Sequence, residues 1–412
     1  MINSRVFRKD GTCAEHGLNA IATALEPGDG VTRLPWTPDH QQAIEIITTW
    51  MVAAGLSVHL DAAGTLVGAS PNPQDKPVLL LGSHQGSVRN GERHDGIMGV
   101  ALACLAAERF RDQWDRLPVA VEILAFADET DVRFPTALIG PRALAGTLDP
   151  SVFDLTDQSG VTIRKAMEDF GLSPDAAANL RRDAAGILGY AEVHIEQDPA
   201  LETADHSVGI AAGIYGISQF LIDVTGETGH AGTVPIAGLK NAMVAMSRII
   251  AAITDEAERD TGLLVTFGQI AMRPNVVDTT LTRATAILEI RSIDDGQRND
   301  FGETSGRLAT GIATRSGCSV AIHETFTQAA TTCDARMQRL LAKSAATAGA
   351  HVQHFTSNAT HNASAMADLC PTAMLFVRSQ RSISHRPDEF TISDDTSVAI
   401  EVMTNFIRLC GT

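Results

Sequence analysis

The chain has 412 residues, 44% of them apolar, and a formal net charge of −17. This length exceeds what one hydrophobic core usually spans, so two domains are expected. The negative charge argues against nucleic acid or an anionic membrane as a partner, because phosphates repel such a surface. The longest apolar runs fall short of the roughly 18 residues that a membrane helix needs.

The first half of the chain alternates between predicted helices and strands. Residues 41–56 have helical periodicity, and residues 57–68 are typical of a hairpin. Continuous apolar strands are predicted over 76–84 and 119–129, with a helix over 96–110 between them, and another strand lies around His194. Strands of this kind are buried on both faces of a sheet. The pattern predicts an α/β fold with a mostly parallel sheet.

The pattern changes near residue 210. An alternating strand over 219–232 precedes a predicted helix, two strands, a second helix and a last strand that ends at residue 327. From residue 335 onward, helices and an apolar strand return to the α/β pattern. We therefore predict an α/β domain over 1–210 and 328–412, interrupted by an inserted α+β domain over 211–327.

Ionisable residues follow the apolar strands at four places. His84 and Asp95 follow the first strand, Glu129 the second and His194 the third, and His385 follows the last. A lone histidine is usually an ordinary surface or core residue, so each place by itself is a weak signal. Because strand carboxyl ends converge on one crevice in open α/β sheets, the four together indicate one site. Two imidazoles and a carboxylate suit Zn²⁺ or a similar divalent ion.

Several segments, taken in chain order, resemble one family of enzymes. They are GSHQGSV, DGIMGV, FADETDVRF, GPRALAG, HIEQ, GHAGTVP, RPNVVD, LEIRS and SISHRPDE. They are similar to the metal-dependent amidohydrolases related to acetylornithine deacetylase, and most of all to the allantoate amidohydrolase, N-carbamoyl-L-amino-acid hydrolase and β-ureidopropionase group. The resemblance covers nearly the whole chain. It implies a catalytic α/β domain for two metals, an inserted lid that dimerises, and hydrolysis of a carbamoyl, ureido or amide C–N bond.

The resemblance also implies roles for the residues at the strand ends. Asp95 would bridge two metal ions, and His84 and His194 would complete the protein ligands of one of them. His385 would bind the other ion, and Glu129 would be the general base. These assignments follow from the match of each residue to the family's motifs.

Further roles concern the substrate. His230, in the GHAG segment of the lid, would reach across the dimer to polarise the scissile carbonyl. Asn275 and Arg291 would hold a substrate carboxylate, for which the planar fork of arginine is suited. Gln197 and His361 are additional candidates for substrate contact. The partners expected are therefore a small-molecule substrate and a second copy of the chain.

This chain departs from the family pattern at five positions. One of them is Thr360, which precedes His361 where the family has a glycine. Gly86, Thr130 and Asn362 stand where the family has acidic residues, and Ser382 stands where it has a glycine. The acidic residue at position 130 would be a metal ligand, and a neutral hydroxyl is a poor substitute for a carboxylate. We therefore expect one tightly bound divalent ion per subunit (Zn²⁺, Mn²⁺, Ni²⁺ or Co²⁺) and a weakened second site.

Three other residues are candidates to replace the missing ligand. Asp128 and Asp131 flank the altered position, but strand alternation gives no strong reason to expect either of them in the site. His94 lies next to Asp95, and we interpret it as a solvated loop residue. The sequence therefore does not identify a replacement.

Three hypotheses for function remain open. The first is hydrolysis of a small N-carbamoyl, ureido or N-acyl compound by metal-activated water, with Glu129 taking the proton. The second is elimination or isomerisation by an acid/base pair of Glu129 and His230. The third is a non-catalytic protein that binds a small carboxylate.

The six cysteines are scattered without CxxC spacing, and the first residues lack the apolar stretch of a signal peptide, so we expect a cytoplasmic protein.

Overall fold

The computed structural model describes residues 11–25, 30–72, 75–91, 93–227, 229, 239–276, 280–380 and 390–411. The chain divides into two compact units, one formed by residues 1–212 and 332–412 and the other by residues 213–331. The inserted unit thus begins two residues later than the sequence predicts, at 213 instead of 211, and ends four residues later, at 331 instead of 327.

The helices begin and end as follows. They are α1 (Gly11–Ile21), α2 (Pro38–Ala53), α3 (Ile97–Glu108), α4 (Ile139–Ala145), α5 (Ile163–Asp169), α6 (Pro174–Ala178), α7 (Ala200–Ala204), α8 (Ala242–Ala257), α9 (Asp295–Arg315), α10 (Ala335–Thr347), α11 (Asn362–Met366) and α12 (Ser393–Leu409). Two short 3₁₀ turns cover Trp114–Arg116 and Pro150–Asp154. Among the described residues, no helix combines the length and the apolar character needed to cross a membrane.

The strands belong to two sheets. They are β1 (Ser57–Leu60), β2 (Leu66–Ala69), β3 (Val78–His84), β4 (Ala120–Phe126), β5 (Ile187–Ile195), β6 (Val208–Ile214), β7 (Gly216–Thr225), β8 (Leu264–Arg273), β9 (Arg283–Ser292), β10 (Ser319–Gln328), β11 (Thr331–Thr332), β12 (Val352–Ser357) and β13 (Thr372–Val377). The larger sheet has the order β1-β2-β4-β3-β5-β13-β6-β11, with β12 paired to β6. The smaller sheet has the order β10-β7-β9-β8.

The centre of the larger sheet is parallel. Strands β4, β3, β5 and β13 are neighbours that run in one direction, whereas β1, β2 and β6 pair antiparallel at the flanks. Helix α3 is apolar on all sides and almost wholly buried against this centre, as expected for a helix inside a core. This arrangement confirms the predicted α/β fold with a parallel central sheet.

The inserted unit is built around the antiparallel sheet. Strand β7 pairs with both β10 and β9, and β9 also pairs with β8. Helices α8 and α9 cover one face, and their apolar residues form a separate core with the inward side chains of β7 and β9. Asn241 caps the first turn of α8 by accepting hydrogen bonds from the main-chain N–H of Met243 and Val244. This unit therefore has its own hydrophobic core.

The longer elements lie where the sequence predicts them. The second helix predicted for the inserted domain is α9, and the hairpin over 57–68 is formed by β1 and β2. The sequence did not predict α1, the short helices between β4 and β5, or strands β6 and β12. Most of these elements are short, so they carry too few periodic positions to be recognised from the sequence.

Candidate active site

Three neighbouring parallel strands direct the described candidate residues toward the same edge of the sheet. His84 is the last residue of β3 and lies opposite Phe126, at the end of β4. His194 is the penultimate residue of β5 and lies opposite Phe376 on β13. Glu129 follows β4 by three residues. The strand order β4-β3-β5-β13 therefore brings together residues that are far apart in the sequence.

His84, Asp95 and His194 form a buried group at this edge. Nε2 of His194 lies 3.2 Å from Oδ1 of Asp95, and Nε2 of His84 lies 3.8 Å from the same oxygen. All three side chains are almost completely buried. Asp95 precedes α3, and the next residue, Gly96, has φ +66°. A Cβ at Gly96 would lie 2.2 Å from the His84 ring, so glycine is needed for this ring to lie against the start of the helix.

Each of these two imidazoles is fixed by a main-chain carbonyl. Nδ1 of His84 is 2.8 Å from the carbonyl oxygen of Gly86, and Nδ1 of His194 is 2.9 Å from that of Ile195. Because a carbonyl oxygen only accepts, Nδ1 donates in both cases. In the described part of the chain, neither Nε2 atom has a hydrogen-bond partner. Nε2 is therefore the atom that each ring presents to a ligand.

The contact at Gly86 explains how the site tolerates one of the departures from the family pattern. The resemblance implies that an acidic residue at this position orients the first histidine. In this chain the main-chain carbonyl of Gly86 accepts from that histidine instead. A Cβ at Gly86 would lie 2.8 Å from the carbonyl oxygen of Ala127, so the backbone here would have to shift to take a longer residue. The orientation of His84 therefore does not depend on an acidic side chain at position 86.

Glu129 lies between the histidines. Its Oε2 is 3.0 Å from Nε2 of His84, without the alignment of a hydrogen bond. Its Oε1 is 3.4 Å from Nδ2 of Asn362 and 3.7 Å from Nδ1 of His361. Glu129 is only 6% exposed, so the site encloses its carboxylate. The sequence had indicated only that this residue follows the end of a strand.

Asn362 links Glu129 to a second buried carboxylate, Glu192. Its Nδ2 donates to Oε1 of Glu192 at 2.9 Å, and the main-chain N–H of Ala363 donates to Oε2 at 2.8 Å. The hydroxyl of Ser83 donates to Oε1 of Glu192, also at 2.9 Å. We did not single out Glu192 from the sequence. It stands two residues before His194 on a strand, so it shares a face with that histidine, and this spacing could have identified it.

The electrostatics of the site favour a cation. Burial would lower the pKa of both His84 and His194, but nearby carboxylates outweigh it. The charges of Glu129 and Asp95 raise the pKa of His84 to about 9. The carboxylate of Asp95, 3.2 Å away, and the charge of Glu129 raise the pKa of His194 to about 10. Burial raises the pKa of Glu129, but the imidazoles around it hold that pKa well below its usual range.

These observations fit a divalent metal ion. His84, Asp95 and His194 offer ligand atoms that all lie within 4.8 Å of one another. Two imidazole nitrogens with a carboxylate oxygen are ligands that zinc and related ions take in proteins. The Nε2 atoms are buried and have no hydrogen-bond partner among the described residues, and an ion would satisfy them.

The structure describes only some of the residues expected at the second metal position. Thr130 is partly buried in the loop that follows β4. The other ligand expected at this position, His385, lies outside the described residues, as does Ser382. Asp128 is buried, and its Oδ2 accepts from the main-chain N–H of Ile139 at the start of α4, 3.3 Å away. That contact gives Asp128 a structural role.

Our interpretation of His94 as a solvated loop residue was wrong. The His94 side chain is fully buried. Its Nε2 lies 3.5 Å from Oε2 of Glu15 on α1, and the edge of its ring contacts Phe390. The sequence did not predict α1, so the residue that pairs with His94 could not be anticipated.

The candidate substrate residues lie in different parts of the chain. Arg291 is the penultimate residue of β9 in the inserted unit, and its Nε donates to Oε1 of Glu289 at 2.7 Å. Asn275 is exposed just after β8, and Gln197 is partly buried just after β5. His230 lies outside the described residues. His361 is fully buried beside Glu129 and His194.

Comparisons with known proteins agree with the resemblance seen in the sequence. The model of peptidase family M20/M25/M40 matches residues 80–409. An N-carbamoyl-L-amino acid amidohydrolase from Geobacillus stearothermophilus is 32% identical over 92% of this chain and 93% of its own. A probable allantoate deiminase from Oryza sativa subsp. japonica is 31% identical over 93% of this chain and 85% of its own. The crystal structure of a hydantoinase/carbamoylase family amidase from Burkholderia ambifaria has a TM-score of 0.77 and 27% identity, and the match covers 98% of each chain.

Proposed function

Because this chain belongs to peptidase family M20/M25/M40, we propose that it hydrolyses a non-peptide C–N bond in a small substrate that carries a carboxylate. The bond would belong to a carbamoyl, ureido or amide group. The relatives are named as amidohydrolases and deiminases, which favours hydrolysis over elimination, isomerisation or simple binding.

One observation carries the proposal. Two imidazole Nε2 atoms face the Asp95 carboxylate in a buried group at the carboxyl ends of the central strands. In this proposal His84, Asp95 and His194 hold one divalent ion, which could be Zn²⁺, Mn²⁺, Ni²⁺ or Co²⁺. The ion supplies Lewis acidity toward the scissile carbonyl and makes water more acidic. The main-chain carbonyls of Gly86 and Ile195 keep the two rings aimed at it.

Glu129 is the proposed general base. Its low pKa keeps the carboxylate ionised at neutral pH, which is the form that a base needs. The amide of Asn362 approaches Oε1, which leaves Oε2 on the side of His84. Oε2 would take the proton from the attacking water and return it to the leaving nitrogen.

The substrate carboxylate would be held by Arg291 and Asn275 in the inserted unit. The guanidinium of Arg291 already pairs with Glu289, which fixes one edge of its planar fork. Gln197 and His361 are proposed as further contacts, and His230 of the second subunit as the group that polarises the scissile carbonyl.

The role proposed for His230 requires a dimer that forms through the inserted unit. Analytical ultracentrifugation at micromolar concentration should therefore give a dimer, and a monomer would rule out the contribution of His230 from a second subunit.

We also propose that the protein works in the cytoplasm, which its six free cysteines support.

The second metal position is proposed to be weak or empty. Thr130 offers only a neutral hydroxyl where the family has a carboxylate, and Asp95 is already shared with the first position. A single imidazole from His385 would not hold an ion firmly against water. The proposal is therefore one tightly bound ion per subunit.

Elemental analysis combined with a substrate screen tests the proposal. Purified protein would be tested on N-carbamoyl amino acids, allantoate and ureidopropionate, with and without added Zn²⁺, Mn²⁺, Ni²⁺ or Co²⁺. We expect about one bound divalent ion per subunit, and turnover of at least one compound that is lost with a chelator and restored by metal. Protein that binds no divalent ion and releases no product from any compound would overturn the proposal.

A further inference from the structure

His361 resembles the two proposed metal ligands in that one of its ring nitrogens is held by a hydrogen bond. It precedes α11 and is fully buried, and its ring packs edge-on against that of His194 with centroids 4.6 Å apart. Its Nε2 lies 2.8 Å from the hydroxyl oxygen of Ser357, at the end of β12. Within the described residues, its Nδ1 has no hydrogen-bond partner. One nitrogen is therefore held and the other is presented to the site.

The contact with Ser357 favours a lone pair on Nδ1. The Ser357 hydroxyl oxygen already accepts from the main-chain N–H of Ala359 at 3.3 Å, and it can also accept from Nε2–H of His361. The opposite tautomer would bury an N–H at Nδ1, where Oε1 of Glu129 is 3.7 Å away and too distant to accept a hydrogen bond. A ring that donates through one nitrogen and offers the other as a lone pair is typical of a metal ligand.

Glu129, His194 and His361 are placed as a set of three metal ligands. Their ligand atoms all lie within 4.8 Å of one another, and the three side chains are buried. Two imidazoles and a glutamate form a set that zinc takes. Neighbouring ligands of a tetrahedral zinc ion are about 3.3–3.6 Å apart, which follows from bonds of about 2.0–2.2 Å. The distance of 3.7 Å between His361 Nδ1 and Glu129 Oε1 is close to this value.

We propose that Glu129, His194 and His361 form an alternative position for the divalent ion, and that it excludes the first position at His84, Asp95 and His194. This inference rests on the metal binding in the proposed function and adds His361 as a ligand. The two positions exclude each other because both need His194. Nδ1 of that ring donates to the carbonyl of Ile195, so only Nε2 can bind an ion.

The two positions have different consequences for the reaction. With the ion at the first position, the carboxylate of Glu129 is available as the base. With the ion at the alternative position, Glu129 is a ligand and cannot take a proton from water. The subunit would then bind one ion in all, and only the fraction at the first position would be competent for hydrolysis.

Variants of His84 and His361 separate the two positions. His361→Gln keeps a polar group near Ser357 and removes the nitrogen that faces Glu129. The matched control is His354→Gln, which makes the same change at an exposed histidine on the neighbouring strand β12. Binding of Co²⁺ would be followed by calorimetry and by visible absorption, which reports the ligands around the ion.

We expect His84→Ala to bind one Co²⁺ per subunit still, about 10–100-fold more weakly and with a changed absorption spectrum. The double variant His84→Ala/His361→Gln should lose this binding, whereas His84→Ala/His354→Gln should keep it. His194→Ala should bind at neither position. If His361→Gln changes neither affinity nor spectrum in either background, the alternative position does not exist, while the proposed function would stand.

A second measurement covers the case in which His84→Ala does not fold, which circular dichroism would reveal. Nitrogen NMR of the unmodified protein, with labelled histidine, would be recorded during a Zn²⁺ titration. We expect the Nδ1 signal of His361 to shift before one equivalent has been added. A signal that stays unchanged at saturation would overturn the inference, and failure to bind Zn²⁺ at all would overturn the proposed function as well.

Discussion

The two sides of the candidate site are held in different ways. The β3–β5 side consists of His84, Asp95 and His194, and its two rings are fixed by main-chain carbonyls. The β4–α11 side consists of Glu129, Thr130, His361 and Asn362, and here side chains hold side chains: Ser357 contacts His361, and Asn362 contacts Glu129. Two of the departures from the family pattern, at positions 130 and 362, fall on this second side.

The difference shows which parts of a metal site tolerate substitution. A carbonyl oxygen is present whatever the residue, so the glycine at position 86 still orients the first histidine. On the β4–α11 side, each substitution changes the chemical groups themselves. The resemblance implies a carboxylate at both positions, whereas Thr130 offers a hydroxyl and Asn362 donates to Glu129 and Glu192. The β3–β5 side should therefore hold the ion in the position that is competent for hydrolysis, and the β4–α11 side should determine how the ion is used.

The largest effect is expected from a change on the β3–β5 side. His194→Ala should abolish tight metal binding and reduce turnover by about 10³-fold or more, because the ion supplies several kcal/mol of stabilisation to the transition state. Elemental analysis and initial rates would be compared with His59→Ala, an exposed histidine on β1. Full metal content in His194→Ala would show that this side does not bind the ion.

A change of the proposed base should separate metal binding from activity. Glu129→Gln keeps the shape of the side chain but cannot accept a proton, so kcat should fall by about 10²–10⁴-fold. One ion per subunit should remain, because His84, Asp95 and His194 are unchanged. A variant that keeps its kcat would show that another group takes the proton.

Arg291 belongs to neither side of the site, so its substitution should change substrate binding and not metal binding. Loss of a bidentate contact to a carboxylate should weaken substrate binding by about 2–4 kcal/mol, so Arg291→Ala should raise KM strongly and leave the metal content unchanged. Steady-state kinetics and elemental analysis on the same sample would measure both quantities. Unchanged affinity and turnover would show that Arg291 does not hold the carboxylate.

Restoring a carboxylate on the β4–α11 side should change the metal count. Thr130→Glu would return an anionic ligand to the second position, so bound metal should rise from about one toward two ions per subunit. Thr130→Gln, which has the same length without the charge, is the control. Two full equivalents in the unmodified protein would show that another group already replaces the missing glutamate. Activity need not increase, because a second ion would occupy space near the substrate.

The smallest effect concerns His40, a buried histidine whose surroundings oppose its charge. Burial, with the charges of Arg33 and Arg133, lowers the pKa of His40 to about 3, the opposite of the shift at His84. The native state then binds fewer protons than the unfolded chain between pH 3 and 6.5. His40 should therefore lower the free energy of unfolding by up to about 1.4 kcal/mol for each pH unit below 6.5.

Urea unfolding at pH 7.5 and pH 5.5 would measure this effect. His40→Asn keeps an acceptor for the main-chain N–H of Trp36, which now donates to Nδ1 of His40 at 2.9 Å. The variant should lose less stability on acidification than the unmodified protein. Equal losses in both proteins would show that His40 does not titrate as its burial suggests.

The sequence by itself determined the parallel sheet and the residues at its carboxyl edge. Apolar runs and helical periodicity are local signals, so strands β3, β4 and β5 and helix α9 could be predicted from the residues that form them. His84, Asp95, Glu129 and His194 stand at or just after the ends of such elements. The rule that parallel strands share one active edge was then enough to group them.

Only the tertiary structure decided which groups hold these residues. Asn362 reaches Glu129 across 233 residues of sequence, and the chain order does not reveal that β4 and α11 meet there. For the same reason, only the structure identifies three further groups as parts of the site: the buried Glu192, the carbonyl of Gly86 and Nδ1 of His361. His94 was misread because its partner lies on α1, which the sequence did not predict. Contacts between distant segments depend on the order and packing of the strands, and a local pattern carries no information about either.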